Sequence, residues 1–157
     1  MSDYIDRSIS STILEASKYF PVICVTGPRQ SGKSTLIKHL FAEYQRYTLE
    51  DLDIRRFAQT DPVAFLNNGS DCMVIDEVQN VPELLSYIQG IVDDNPKRRF
   101  VLSGSNNFML LKDVSQSLAG RVGLFELLPM SFDEARIKME FLSLDELMYN
   151  GLYPAIC

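Results

Sequence analysis

Short, continuous apolar runs alternate along the chain with segments whose apolar residues recur every three or four positions. The first kind reads as a strand buried on both faces, the second as a helix with one buried stripe. Ile9, Ile13, Leu14 and Ala16 predict a helix from Ser8 to Tyr19, stopped by Pro21. Val22 to Thr26 is β-branched and apolar and predicts the first strand. A glycine-containing loop follows, then a helix from Lys33 to Tyr44 with Leu36, Ile37, Leu40 and Phe41 on one side. Arg46 to Leu49 predicts a short second strand, Asp51 to Thr60 a helix, and Pro62 a further helical turn through Leu66. Met73-Val74-Ile75 predicts the third strand, running into Asp76-Glu77. Leu84, Leu85, Ile88, Ile91 and Val92 form a 3.6-residue stripe on a helix opened by Pro82 and closed by Asp93 to Pro96. Phe100 to Ser103 is the fourth strand, Phe108 to Leu118 a helix, and Val122 to Leu127 the fifth strand. From Phe132 to Cys157 the pattern is mostly helical, with a new helix opening at Leu142. Strands that alternate with helices in this way predict an α/β fold with a parallel sheet.

Composition narrows the class without changing that picture. In 157 residues, 46% are hydrophobic and 23% charged, ordinary values for one globular domain with its own core. No apolar run approaches the ~18 residues that would cross a bilayer. The opening Met1 to Arg7 lacks a basic stretch followed by an apolar one, so no secretory signal is read there. These features predict a cytoplasmic domain with no membrane contact. The net charge of −6 gives no basic stripe, so nucleic-acid binding is not supported by this acidic core. Three cysteines without a C-x-x-C and a single histidine, His39, supply no zinc framework. Cys24 and Cys72 sit at apolar runs and read as small buried hydrophobes.

The chemistry concentrates where the first strand meets its helix. Gly27-Pro28-Arg29-Gln30-Ser31-Gly32-Lys33-Ser34 fits G-x-x-x-x-G-K-[ST], followed by Thr35. At average composition a chance match in this length is roughly one in a few hundred. The strand before and the periodic helix after supply the required context. The glycines let the backbone curl so that its amides point at phosphate oxygens, at a helix end whose dipole favours anions. Lys33 suits the β- and γ-phosphates, and the Ser34 hydroxyl suits a Mg²⁺ shell. Arg29 and Gln30 are expected to contribute backbone donors only.

The third strand delivers Asp76 to the carboxyl edge of the sheet beside this loop, where it can hold the magnesium ion. Glu77 next to it is placed to orient a water for attack on the γ-phosphate. The intervening helix and the strand at 46–49 predict an extra strand between the loop strand and the acidic strand. No Asn-Lys-x-Asp for guanine is present, which favours ATP. After the fourth strand, Ser105 and Asn106 are candidate γ-phosphate sensors, and either can be the inward one. Arg121, just before the fifth strand, is placed to reach a γ-phosphate within the chain or on a neighbouring subunit, or to tie down its turn.

Taken together these stretches resemble a family of prokaryotic AAA-like P-loop ATPases whose longer members carry a C-terminal domain of unknown function. The resemblance rests on Tyr4 to Arg7, Thr26 to Ser34, Ile75 to Gln79 with Pro82 to Leu85, Leu102 to Ser105, and Ser117 to Arg121 with Leu128-Pro129. It implies a P-loop NTPase with a five-stranded parallel sheet of order 5-1-4-3-2, ATP and Mg²⁺ binding, and hydrolysis. It supports Glu77 as catalytic and Ser105 or Asn106 as sensor, with Arg121 as a further candidate. It also implies a core over residues 1–130 and, over 131–157, a helical tail that starts a further region, since Asn150 to Ala155 resembles the opening of that region. Two functional readings follow: an ATPase driving an unidentified process, or a nucleotide-dependent interaction module with little turnover alone. Either is compatible with an oligomer and with a protein partner.

Overall fold

The computed structural model describes residues 4–105 and 108–136. Five strands form one parallel sheet: β1 (Val22–Gly27), β2 (Gln45–Thr48), β3 (Cys72–Asp76), β4 (Arg99–Ser105) and β5 (Val122–Glu126), in the order β2-β3-β4-β1-β5. This is the predicted 5-1-4-3-2 order read from the other side. Between the strands run α1 (Ser10–Ala16), α2 (Lys33–Leu40), α3 (Leu52–Thr60), α4 (Pro62–Asn67), α5 (Leu84–Asp94), α6 (Phe108–Ser117) and α7 (Phe132–Arg136). A single 3-10 turn, Val78–Asn80, follows β3.

Alternation along each strand splits the core into two layers. Val22 and Cys24 of β1, Met73 and Ile75 of β3, and Phe100 and Leu102 of β4 face α3, α4, α5 and α6. Ile23, Val25, Val74 and Val101 face α1 and α2. The sheet is therefore covered on both sides, as parallel sheets require. Cys24 is fully buried and, as a small hydrophobe there, has its thiol pushed up to about 12 by burial. Among the described residues no helix is long and apolar enough to cross a membrane.

Several boundaries differ from the periodicity, each for a physical reason. The expected first helix narrows to Ser10–Ala16 because the next amides, of Lys18 and Tyr19, reach back only three residues, to Glu15 and Ala16. α2 ends at Leu40, not Tyr44, because the backbone of Phe41 leaves the helical region and the Tyr44 amide reaches back only three residues, to Phe41; Arg46 braces this end through the carbonyls of Ile37 (3.0 Å) and Phe41 (3.1 Å). Each of these carbonyls also accepts a backbone amide, Ile37 from Phe41 and Phe41 from Tyr44, so Arg46 supplies a second donor to both. β4 runs on past Ser103 to Ser105, so Gly104 and Ser105 pair with Thr26 and Gly27 instead of forming a loop. The predicted tail is described only to Arg136; the helix expected at Leu142 and the rest of 137–157 lie outside the described residues.

The N-terminal segment is tied to the far end of the described chain by one buried carboxylate. Ser131 opens α7 and Glu134 lies three residues on, and the two bond reciprocally as a capping box. Glu134 also accepts from the Ser8 amide (2.7 Å), the Ser8 hydroxyl (2.8 Å) and Arg7 Nε (3.1 Å). Burial would raise its pKa, but these donors outweigh burial and hold it down at about 2. A carboxylate depressed in the folded state adds stability above its unfolded pKa and loses it as pH falls toward the folded value. Glu134→Gln should therefore cost roughly 2–3 kcal/mol at pH 6. That difference from wild type should shrink between about pH 4.5 and pH 2, measured by urea unfolding at each pH; a gap independent of pH would contradict the assignment.

Candidate nucleotide site

The loop from Gly27 to Gly32 leaves β1 at the carboxyl edge of the sheet and enters α2. Its turn depends on backbone that side chains resist: Gly27 has φ +149°, Gln30 +64° and Gly32 +93°. A Cβ at Gly27 would stand 2.2 Å from the Leu127 carbonyl oxygen, so only glycine lets β1 pass under the chain after β5. Gly32 caps α2 without a side-chain acceptor, and the first turn of α2 carries no acidic residue. Its leading amides are thus left for an outside anion. The Ser31 hydroxyl is buried and has no hydrogen-bond partner among the described residues. An orphaned hydroxyl beside the leading amides of α2 fits a phosphate group.

Lys33 is almost fully buried, and its Nζ donates to the carbonyls of Gly27 (3.0 Å) and Pro28 (2.8 Å). Burial lowers its pKa, Glu77 and Asp76 oppose that, and Arg29 adds to it. The ammonium therefore sits inside the loop with two carboxylates near it. Arg29 and Gln30 are exposed, and Arg29 makes only a loose, solvent-screened pair with Glu50 at 3.9 Å. Pro28 is half-buried, and Thr35 is exposed on the first turn of α2.

Asp76 is the meeting point. Its Oδ2 accepts from the Ser34 hydroxyl at 2.8 Å; its Oδ1 accepts from the Ser103 hydroxyl and from the Glu77 amide at 3.1 Å. Ser34 and Asp76 thus lie together, as their spacing predicted, and offer hard oxygen donors. Among the described residues no cluster of three His, Cys, Asp or Glu side chains could hold a metal alone. A hydroxyl and one carboxylate beside a phosphate site are instead the donor set that suits Mg²⁺, which keeps water and phosphate ligands. Ser34 and Asp76 also line a cleft of about 290 Å³, together with Lys38, Arg46, Thr48 and Ser103.

Glu77 takes a left-handed backbone, φ +56°, unusual for a residue with a side chain. Its carboxylate accepts from Gln79 Nε2. Gln79 reaches that position because residue 104 is glycine: a Cβ there would lie 2.4 Å from Gln79 Oε1. The turn thus aims Glu77 by backbone strain on one side and an amide on the other.

Ser103 and Gln79 touch the acidic pair without standing among the residues expected from the sequence. The expected sensor candidates are Ser105 and Asn106; the hydroxyl that touches Asp76 is that of Ser103. Ser105 ends β4 opposite Gly27, on the same face as Ser103, and Asn106 lies outside the described residues. The parity of Val101, Ser103 and Ser105 was the available signal. Gln79 had no signal of its own.

Arg121 is elsewhere. Its backbone carbonyl accepts from the Val22 amide, at the opening of β1, so it lies at the amino edge of the sheet. β1 spans six residues, at ~3.3 Å each roughly 20 Å from that edge to the loop. There Arg121 forms a two-armed pair with Asp93 (2.6 and 2.8 Å) and donates to the Ala119 carbonyl. Within this chain it does not approach Lys33 or Asp76, which corrects the expectation that it could serve its own site.

Comparison with known proteins agrees with this arrangement. A sequence-family model described as an AAA domain (AAA_14) matches residues 19–136. The uncharacterized proteins Mb2031c of Mycobacterium bovis and Rv2008c of Mycobacterium tuberculosis are each 35% identical over 125 residues, 77% of this chain and 28% of theirs. The chain thus spans little more than a quarter of those relatives. Among solved structures, the Walker-type ATPase PABY2304 of Pyrococcus abyssi superposes with a TM-score of 0.64 at 17% identity, over 97% of this chain and 65% of that one. A Signal Transduction ATPase with Numerous Domains with a tetratricopeptide repeat sensor, PH0952 of Pyrococcus horikoshii, gives 0.58 at 14%, over 95% and 28%. These two show a shared fold. With the phosphate loop, sheet order and family match in agreement, the chain belongs to the AAA-like P-loop ATPase family and is a nucleotide-binding P-loop protein.

Proposed function

We propose that this chain binds ATP with Mg²⁺ and hydrolyses it. The observation that carries the reading is Asp76, whose carboxylate joins the hydroxyls of Ser34 and Ser103 while Glu77 follows in a strained turn. In this reading the amides from Gly27 to Gly32 and the Lys33 ammonium bind the β- and γ-phosphates. Ser34 and Asp76 hold the magnesium ion, which would neutralise phosphate charge. Glu77, kept in place by Gln79, orients the attacking water and accepts its proton. Ser103 senses the γ-phosphate from beside Asp76, with Ser105 on the same face of β4.

Residues 1–130 form the ATPase core in this reading, and 131–157 begin a further region whose partner and process set the use of the hydrolysis. A second reading has the chain bind nucleotide but turn it over only when another copy completes the site. It is favoured by Arg121, which lies at the edge of the sheet away from its own loop and, paired with Asp93, is partly exposed toward a neighbour. The cytoplasm supplies ATP and Mg²⁺ and is the proposed location.

Phosphate release should require Mg²⁺ and fall by about 10² or more in Glu77→Gln, the usual worth of a positioned base. Calorimetry should show that this variant still binds ATP, whereas Lys33→Ala loses most of its affinity; equal turnover in wild type and Glu77→Gln would remove Glu77 from the mechanism. Turnover per molecule measured against protein concentration separates these two readings from each other and from an interaction module. A flat rate supports a site complete in one chain. A steep rise that Arg121→Ala abolishes supports a shared site, and ATP binding with no turnover at any concentration supports the interaction module.

A further inference from the structure

A phosphate loop can bind anions only if its peptides are turned the right way. The peptide bond is planar and trans, so the Ser31 carbonyl and the Gly32 amide point in opposite directions from one rigid unit. Whatever holds that carbonyl also sets where the Gly32 N–H points. Here the holder is Arg7, whose Nη1 donates to the Ser31 oxygen at 2.9 Å. The same guanidinium gives Nη2 to the Leu128 carbonyl at 2.7 Å and Nε to Glu134 at 3.1 Å. Arg7 is 7% exposed, and both oxygens of Glu134 are engaged, one by Ser8 and the other by Arg7 and Ser131. A planar fork with three arms in use cannot swing without breaking buried hydrogen bonds.

We propose that Arg7 is a positioning residue for nucleotide: it fixes the Ser31–Gly32 peptide so that the Gly32 amide faces the phosphates, and it couples that peptide to residues 128–134. The proposal rests on the nucleotide site described above. Gly32 needs such an anchor, since its left-handed φ of +93° lies in the region where glycine moves most freely and its own side cannot pack. The Ser31 side chain offers no alternative restraint, because its hydroxyl has no hydrogen-bond partner among the described residues. The coupling is reciprocal: an anion that draws in the Gly32 amide tightens the Arg7 bond to Ser31, and so steadies the Leu128 and Glu134 ends of the same guanidinium.

The test measures MgATP affinity by calorimetry well below the melting temperature, alongside near-ultraviolet circular dichroism. Arg7→Ala should keep a native spectrum and bind MgATP at least tenfold more weakly. Arg7→Lys should recover little, because a point ammonium cannot span three acceptors. Arg98→Ala removes another buried arginine, one that serves Leu66 and Asn67 on the other face of the sheet, and reports what general destabilisation does. It should lower the melting temperature and leave MgATP affinity within twofold of wild type. Hydrogen–deuterium exchange supplies a second readout: MgATP should slow exchange in peptides covering 5–10 and 129–135 in wild type, and not in Arg7→Ala. Should Arg7→Ala fail to fold, absence of slowing at 129–135 in wild type overturns the proposal by itself. Arg7→Ala binding within twofold of wild type overturns it while the nucleotide reading stands. Wild type that takes up no MgATP overturns both.

Discussion

A carboxylate that emerges from a buried strand has to be met by donors, and Asp76 imposes that demand on three parts of the molecule at once. The strand that carries it is fully buried through Met73, Val74 and Ile75, so the charge arrives at the sheet edge with little solvent behind it. The Ser34 hydroxyl meets it from the first turn of α2, the Ser103 hydroxyl from β4, and the Glu77 amide from its own chain. Each contact fixes a register. Ser34 can reach only if α2 begins within a hydrogen bond of the end of β3, which sets how far the phosphate loop travels. Ser103 can reach only if β4 lies between β3 and β1, which is the observed order. The sheet order and the chemistry are thus one constraint seen at two scales.

The loop obeys a second rule that follows from backbone geometry. A backbone that turns amides toward an anion must turn carbonyls away from it, and buried carbonyls need donors of their own. Lys33 meets those of Gly27 and Pro28, and Arg7 meets that of Ser31. Both cations lie deep in the structure, and each is made affordable by carboxylates close by: Asp76 and Glu77 near Lys33, Glu134 against Arg7. The acidic residues here serve the loop as much as the loop serves an anion. Net charge alone would not have pointed to an anion site.

How far all this was legible depends on the distance between partners in the chain. The loop, its strand and its helix are contiguous, and the residues that carry them can be read from spacing alone. The acidic strand follows from its apolar run and the carboxylate that ends it. The end of α2 is not legible in the apolar stripe, because the stripe runs through Phe41 while the Phe41 backbone turns out of the helix and is braced there by Arg46. The apolar run ends β4 at Ser103, but Gly104 carries the strand on and leaves room for Gln79, a contact between residues far apart in sequence. Arg7 and Glu134 stand 127 positions apart, and no local pattern joins them. Ser131 and Glu134 did carry a readable capping signature, but it announces only the start of α7. Its second use, as the anchor of an arginine from the other end of the chain, exists only in three dimensions.

The placement of Arg121 follows from strand direction. In a sheet whose strands all run one way, residues that follow strands collect at one edge and residues that precede them at the other. The phosphate loop, Asp76 and Glu77 follow β1 and β3; Arg121 precedes β5, and Asp93 lies at the end of the helix that leads into β4. No adjustment of side chains can carry Arg121 across the sheet, so a role at a nucleotide can only be played toward another molecule. The pair it makes with Asp93 suits such a role. Both partners are partly exposed, and Arg121 is already held in the planar, two-armed geometry by which a guanidinium grips a carboxylate or a phosphate. Transfer from Asp93 to a phosphate would exchange one anion for another with the fork intact. What it requires is a second copy at the correct angle, not a rearrangement of the fold.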